Sequence, residues 1–172
     1  YQNSIMSLSN NFINVFVDGS CINNGKKNPI GGIGIYFGEN DPRNLSLKYE
    51  YDNCPTNNKA ELYAIYETIL ILLDEIKKDR TVLIYSDSQY CINSITKWYK
   101  NWEKNGWLNR KKKAVKNKNI LLNILKYTKI YPNIRFKYVK AHCADNSIES
   151  INNNLADKLA KLRLTSKKNN IN

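Results

Sequence analysis

The chain has 172 residues, a hydrophobic fraction of 42% and an aromatic fraction of 11%, which exclude a disordered protein and suit one domain with a sizeable core. A net charge of +12 points to polyanionic partners rather than acidic ones. The longest apolar run, Ile69 to Leu73, falls far short of the ~18 residues of a membrane span, so no membrane partner is expected.

Phe12 to Val17 reads as a buried strand ending at Asp18-Gly19. After the Asn23-Asn24-Gly25 turn, Gly31 to Phe37 reads as a second strand, its glycines placed where another backbone approaches closely. A weaker third strand covers Leu45 to Tyr51, and the turn signals make the three an antiparallel meander. From Lys59 to Lys77 the spacing of Leu62, Ile65, Tyr66, Ile69, Leu72, Leu73 and Ile76 predicts an amphipathic helix, with Thr56 or Asn57 as its cap. Thr81 to Tyr85 is a buried strand, and Ser86-Asp87-Ser88 opens a helix carrying Tyr90, Ile92, Ile95 and Trp98. A basic, Trp-containing stretch precedes a helix from Lys118 to Ile130. Ile134 to Val139 is the last strand, Asp145 to Asn153 a polar loop, and Asn154 to Leu164 the terminal helix. Residues 1–12 read as an N-terminal extension, 13–165 as one folded domain and 166–172 as a polar tail. The order is that of an α/β domain, three meander strands followed by strands reached through helices.

Four carboxylates stand out in this order: Asp18, Glu61, Asp87 and Asp157. Asp18 and Asp87 leave the carboxyl ends of strands, where open α/β sheets bind ligands, and Glu61 falls at the margin of its helix's apolar stripe. Taken singly, each reads equally well as a turn former or a solvated helix residue. If they converge they repel, by roughly 4 kcal/mol for a pair about 4 Å apart at an effective dielectric near 20. Divalent cations are the natural compensation. Cys21, Cys54, Cys91 and Cys143 are widely spaced with no C-x-x-C, as expected for reduced thiols in an intracellular protein.

Five motifs then occur in one order: V-D-G-S with G-G-I-G-I-Y-F, T-N-N-K-A-E-L, Y-S-D-S-Q-Y, W-x-x-N-G-W, and A-H with N-x-x-A-D. Together they resemble type 1 ribonuclease H in its eukaryotic form, over Asn14 to Leu164. The resemblance implies a ribonuclease H-like fold: a five-stranded mixed sheet, flanked by helices, with a basic protrusion. It implies a metal-dependent endoribonuclease that cuts the RNA strand of RNA–DNA hybrids and leaves 5′-phosphate and 3′-hydroxyl ends. Asp18, Glu61, Asp87 and Asp157 would hold two Mg²⁺ ions, with Mn²⁺ able to substitute, as hard oxygen ligands suit. His142, the single histidine, stands where the family carries a mobile-loop histidine assisting proton transfer or product release. Here Ala141 precedes it instead of Gly, and the interval to Asp157 is longer than usual.

For the substrate, the resemblance places Cys21 (through its backbone), Asn23, Asn24, Asn57 and Asn58 on the RNA strand and minor groove. Thr56, Tyr90, Trp98 and Asn117 would meet the DNA strand, with Thr56 and Asn117 forming a phosphate pocket. Cys54 occupies a position where the family commonly has Arg, so either a nearby Lys substitutes or that pocket is weaker. Lys97 to Lys118 holds nine Lys or Arg against one acid, Glu103. Lys97, Lys100, Trp102, Lys104, Trp107, Arg110, Lys111, Lys112 and Lys113 look like the basic protrusion that grips a hybrid. The competing expectations are a ribonuclease H domain of a retroelement reverse transcriptase and an inactive hybrid-binding module. A monomer is expected, located in the nucleus or mitochondrion if eukaryotic and otherwise in the cytoplasm.

Overall fold

The computed structural model describes residues 11–140 and 147–165. Five strands form one mixed sheet: β1 (Phe12–Ile22), β2 (Ile30–Tyr36), β3 (Leu45–Lys48), β4 (Thr81–Ser86) and β5 (Ile134–Tyr138), in the order β3-β2-β1-β4-β5. β1, β2 and β3 pair antiparallel, whereas β4 and β5 run parallel to β1. The meander and the parallel strands are therefore those the sequence predicts.

Helix α1 (Asn57–Ile71) and a short α2 (Leu73–Lys77) replace the single predicted helix, which breaks at Leu72. After β4, α3 (Gln89–Asn93) runs through a π-helical turn (Ser94–Trp98) into α4 (Tyr99–Lys104). α5 (Lys118–Thr128) and α6 (Ile148–Thr165) complete the chain. The terminal helix thus starts six residues before the predicted Asn154. Ser147 explains this: its hydroxyl accepts from the Ser150 N–H at 3.2 Å, so part of the predicted polar loop folds as a capped first turn.

Strand β1 is apolar on both sides because both sides are covered. Val15 and Val17 face a large core shared with Leu62, Ile65 and Ile69 of α1 and Leu121, Ile124 and Leu125 of α5. Phe16 faces a smaller core with Tyr36, Tyr85, Val139 and Ala156, beneath α6. Phe16 and Tyr85 stack at 4.3 Å between ring centroids. No helix among the described residues is long and apolar enough to cross a membrane.

Two features position the carboxyl edge of the sheet. β1 does not end at Asp18 as predicted but continues to Ile22, paired only with β2 once β4 has stopped. The β1–β4 register, Phe12 against Thr81 through Phe16 against Tyr85, extrapolates to bring Asp18 level with Asp87. The helices also lie unusually close to the strands. A Cβ on Gly19 would stand 2.1 Å from the Glu61 nitrogen, and one on Gly34 would stand 2.0 Å from the Ala156 carbonyl oxygen. Only a residue without a Cβ admits α1 and α6 at these points.

Gly34→Ala is accordingly expected to lower unfolding stability by about 1–3 kcal/mol, as overpacking does. Urea denaturation should show a lower midpoint with the slope retained, and an unchanged midpoint would contradict the close-contact reading.

Candidate active site

Each acidic side chain reaches the sheet edge from a different element. Asp18 lies within β1 and is 7% exposed. Asp87 follows the last residue of β4, while Glu61 projects from the first turns of α1 beside Gly19. Carboxylate oxygens of Asp18, Glu61 and Asp87 all lie within 4.8 Å of one another. Four converging carboxylates were expected, and this set holds three. Asp157, on α6, adjoins Asp18 closely enough to help raise its pKa, and is held by the Lys161 ammonium at 2.7 Å. The i,i+4 spacing on α6 puts that Lys within reach.

The electrostatics follow from this crowding. Burial first, and then the charges of Asp87 and Asp157, push the Asp18 carboxyl up from 3.8 to about 8. Glu61 is likewise raised by burial, against the lowering effect of hydrogen bonds from Ser88 and Cys91. The Cys91 thiol, fully buried, donates to Glu61 Oε2 at 3.5 Å, and burial together with the Glu61 charge pushes its own pKa up. Asn153 of α6 donates its Nδ2 to Asp87 Oδ2 at 3.0 Å. Neutral donors therefore fix Glu61 and Asp87 without neutralising them. Sequence reasoning missed all three donors, although Ser88 adjoins Asp87 and Asn153 opens the N-x-x-A-D motif. A cluster made only of carboxylate oxygens, with no imidazole or thiolate among its three members, fits a hard divalent cation such as Mg²⁺ or Mn²⁺.

The residues expected to read substrate are distributed around this edge. Asn57 Oδ1 accepts from the Cys21 backbone N–H at 2.8 Å, so that donor, expected beside RNA, is spent joining α1 to β1. Asn23 adopts left-handed backbone (φ 56°) and donates to the Asn28 carbonyl at 3.2 Å, which makes it a turn former. Asn24 and Asn58 are exposed. Thr56 caps α1 by accepting from the Lys59 N–H at 3.2 Å. Asn117, left-handed at φ 62°, donates to the Tyr90 hydroxyl at 3.0 Å. A cavity of about 320 Å³ beside Asn117 is lined by Lys59, Lys118 and Asp52 among others. Lys59 Nζ lies 2.9 Å from the Cys54 carbonyl oxygen and 2.6 Å from Asp52 Oδ2. A lysine thus stands next to Cys54, already paired with an acid.

Tyr90, Trp98, Trp102 and Trp107 form a run of ring contacts with centroids 6.2, 5.9 and 6.1 Å apart. Trp98 is exposed, Tyr90 and Trp102 are half-buried, and Trp107 is buried in the main core. Trp107 therefore corrects the expectation of a gripping residue: it anchors the protrusion and does not present a surface. Lys97, Lys100, Lys104, Arg110, Lys111, Lys112 and Lys113 are all exposed. Asn109 Oδ1 accepts from the backbone N–H of Lys111 and of Lys113, folding the basic tip into a tight turn. His142 lies outside the described residues.

A mixed sheet in this order, with a candidate acidic metal site at its carboxyl edge, defines an α/β domain of the ribonuclease H-like fold. The RNase H family model matches residues 10–165, and the chain belongs to that family. It is 38% identical to ribonuclease H of Schizosaccharomyces pombe over 147 residues, 86% of this chain and 51% of that protein. It is 37% identical to ribonuclease HI of Haemophilus ducreyi over 150 residues, 87% of this chain and 88% of that protein. A foamy viral protease-reverse transcriptase, solved in complex with an RNA/DNA hybrid, superposes with a TM-score of 0.68 at 25% identity, over 90% of this chain and 20% of that one. The chain spans about half the length of the S. pombe relative.

The raised Asp18 pKa has a thermodynamic consequence. A carboxyl that binds its proton more tightly when folded contributes fully below pH about 4, and that contribution is lost as pH rises toward about 8. In chelator at neutral pH, Asp18→Asn should therefore stabilise the protein, by on the order of 3 kcal/mol, with the gain vanishing near pH 4. Denaturant unfolding at the two pH values checks this, and a destabilised variant at neutral pH would refute the crowding account.

Proposed function

We propose that this protein is a metal-dependent endoribonuclease that hydrolyses the RNA strand of RNA–DNA hybrids. The observation that carries the reading is the meeting of Asp18, Glu61 and Asp87 within 4.8 Å at the carboxyl edge of a ribonuclease H sheet. Two Mg²⁺ ions held by these residues and Asp157 would supply charge stabilisation to the attacking and leaving oxygens of an in-line displacement, giving 5′-phosphate and 3′-hydroxyl ends. The protein's own part is to fix the carboxylates. Asp18 is held in the strand, Glu61 is steadied by Ser88 and Cys91, and Asp87 is steadied by Asn153. Asp157 approaches Asp18 while Lys161 partly balances its charge. His142 is assigned to proton transfer or product release, on its sequence context.

The exposed aromatic face of Trp98 and the exposed cations from Lys97 to Lys113 suit a polyanion carrying flat sugars and bases. A hybrid fits better than duplex DNA because the exposed amides of Asn24 and Asn58 supply partners for 2′-hydroxyls. A second reading, a ribonuclease H domain of a reverse transcriptase, draws on the likeness to the foamy viral enzyme. The identities of 38% and 37% to proteins named ribonuclease H favour the first. The protein is assigned as an intracellular monomer, in the nucleus and/or mitochondrion if eukaryotic and otherwise in the cytoplasm.

With end-labelled substrates, the hybrid should be cut in Mg²⁺ and duplex DNA should not; equal cutting of both would sink the strand-reading assignment. Asp87→Asn should abolish cleavage while hybrid binding in Ca²⁺ survives, and undiminished cleavage would remove Asp87 from the chemistry. Neutralising Lys111, Lys112 and Lys113 together should weaken hybrid binding and flatten its log–log salt slope by about 2–3. An unaltered slope would take the basic tip out of the interface.

A further inference from the structure

Asn153 lies four residues before Asp157, so α6 directs both side chains toward the same sheet edge. It is 2% exposed in the interior of a helix, where an Asn side chain is a poor helix former and needs some other reason to be kept. Its Nδ2 donates to Asp87 Oδ2 at 3.0 Å. Its Oδ1 is buried and has no hydrogen-bond partner among the described residues. The opposite amide orientation would set an oxygen against the Asp87 carboxylate, two acceptors with no proton between them, so the chemistry fixes which end faces Asp87. A buried acceptor left unpaired is costly, and such groups call for an explanation in terms of an ion or a water.

We propose that Asn153 is a positioning residue for the bound cation. Its Nδ2 pins one oxygen of Asp87 and leaves the other for the ion, while its Oδ1 serves as an acceptor for the ion's hydration shell. Mg²⁺ gives up its waters reluctantly, so a bound ion brings donors that an amide oxygen can receive. One side chain thereby orients a ligand and receives the water that the ligand's ion carries. The proposal rests on the metal-site reading of the carboxylates and extends it to a residue that touches neither the ion nor the substrate.

The test compares wild type with Asn153→Leu and Asn153→Ala in Mg²⁺ titrations, read by the rise in melting temperature and by the half-activating concentration for hybrid cleavage. Both Mg²⁺ midpoints should rise about tenfold, as loss of a partner behind a metal ligand commonly produces. Hybrid binding in chelator, measured by fluorescence anisotropy, should stay at the wild-type value, which a general loss of structure would not allow. If the Leu variant fails to fold, the smaller Ala variant carries the same reading. Folded variants whose two midpoints stay within twofold of wild type would overturn the role of Asn153. A wild type with no Mg²⁺-dependent rise would instead overturn the metal-site reading beneath it.

Discussion

Three carboxylates held within 4.8 Å of one another, one of them almost fully buried, form an arrangement that opposes its own existence. Asp18 is the centre of the opposition: burial and two neighbouring acids raise its pKa to about 8. The rest of the domain can be read as the means of holding these charges together until a cation arrives. The parallel register of β1 and β4 sets Asp18 level with Asp87. Gly19 lets the backbone of α1 close on β1 and delivers Glu61, and Gly34 does the same for α6 and the neighbourhood of Asp157.

What steadies the cluster is as informative as what crowds it. Among the described residues, the groups bonded to Glu61 and Asp87 are a hydroxyl, a thiol and an amide, none of which carries charge. A lysine in any of these places would satisfy the carboxylate and remove the need for a metal. Among the described residues, the Lys161 ammonium pairs with Asp157, and Asp18, Glu61 and Asp87 form no ion pair. A site for exchangeable cations would need this division, whereas in an ordinary buried salt bridge the compensating charge is permanent.

Much of this was legible in the sequence, and the gaps have physical causes. The meander, the parallel strands and the large core followed from periodicity and turn chemistry, because those patterns are local. The ordered motifs around Asp18, Glu61, Asp87 and Asp157 identified the acidic groups, since few folds need them in that succession. The Lys161–Asp157 pair was not read, although both residues fall at i,i+4 spacing on the predicted helix from Asn154 to Leu164. The early start of α6 was hidden: Ile148 to Asn153 is polar and Asn-rich, and the Ser147 cap outweighs weak helix propensity. Trp107 read as a surface aromatic among lysines, yet the left-handed turn at Gly106 and Trp107 folds its ring inward. The Cys21–Asn57 bond joins residues 36 positions apart, a separation at which pattern reading has no purchase.

The same frame accounts for the outer surface. Buried Trp107 fixes the base of the basic protrusion, and Asn109 folds its tip, so the exposed lysines stand on a built support near the aromatic run from Tyr90 to Trp102. The central claim, that the crowded carboxylates exist to hold divalent ions, is tested most directly by anomalous scattering from crystals of the protein with a hybrid and Mn²⁺. The account predicts manganese peaks ligated by Asp18, Glu61 and Asp87, with a second ion reaching Asp157. Full occupancy of the hybrid with no manganese among these carboxylates would contradict it.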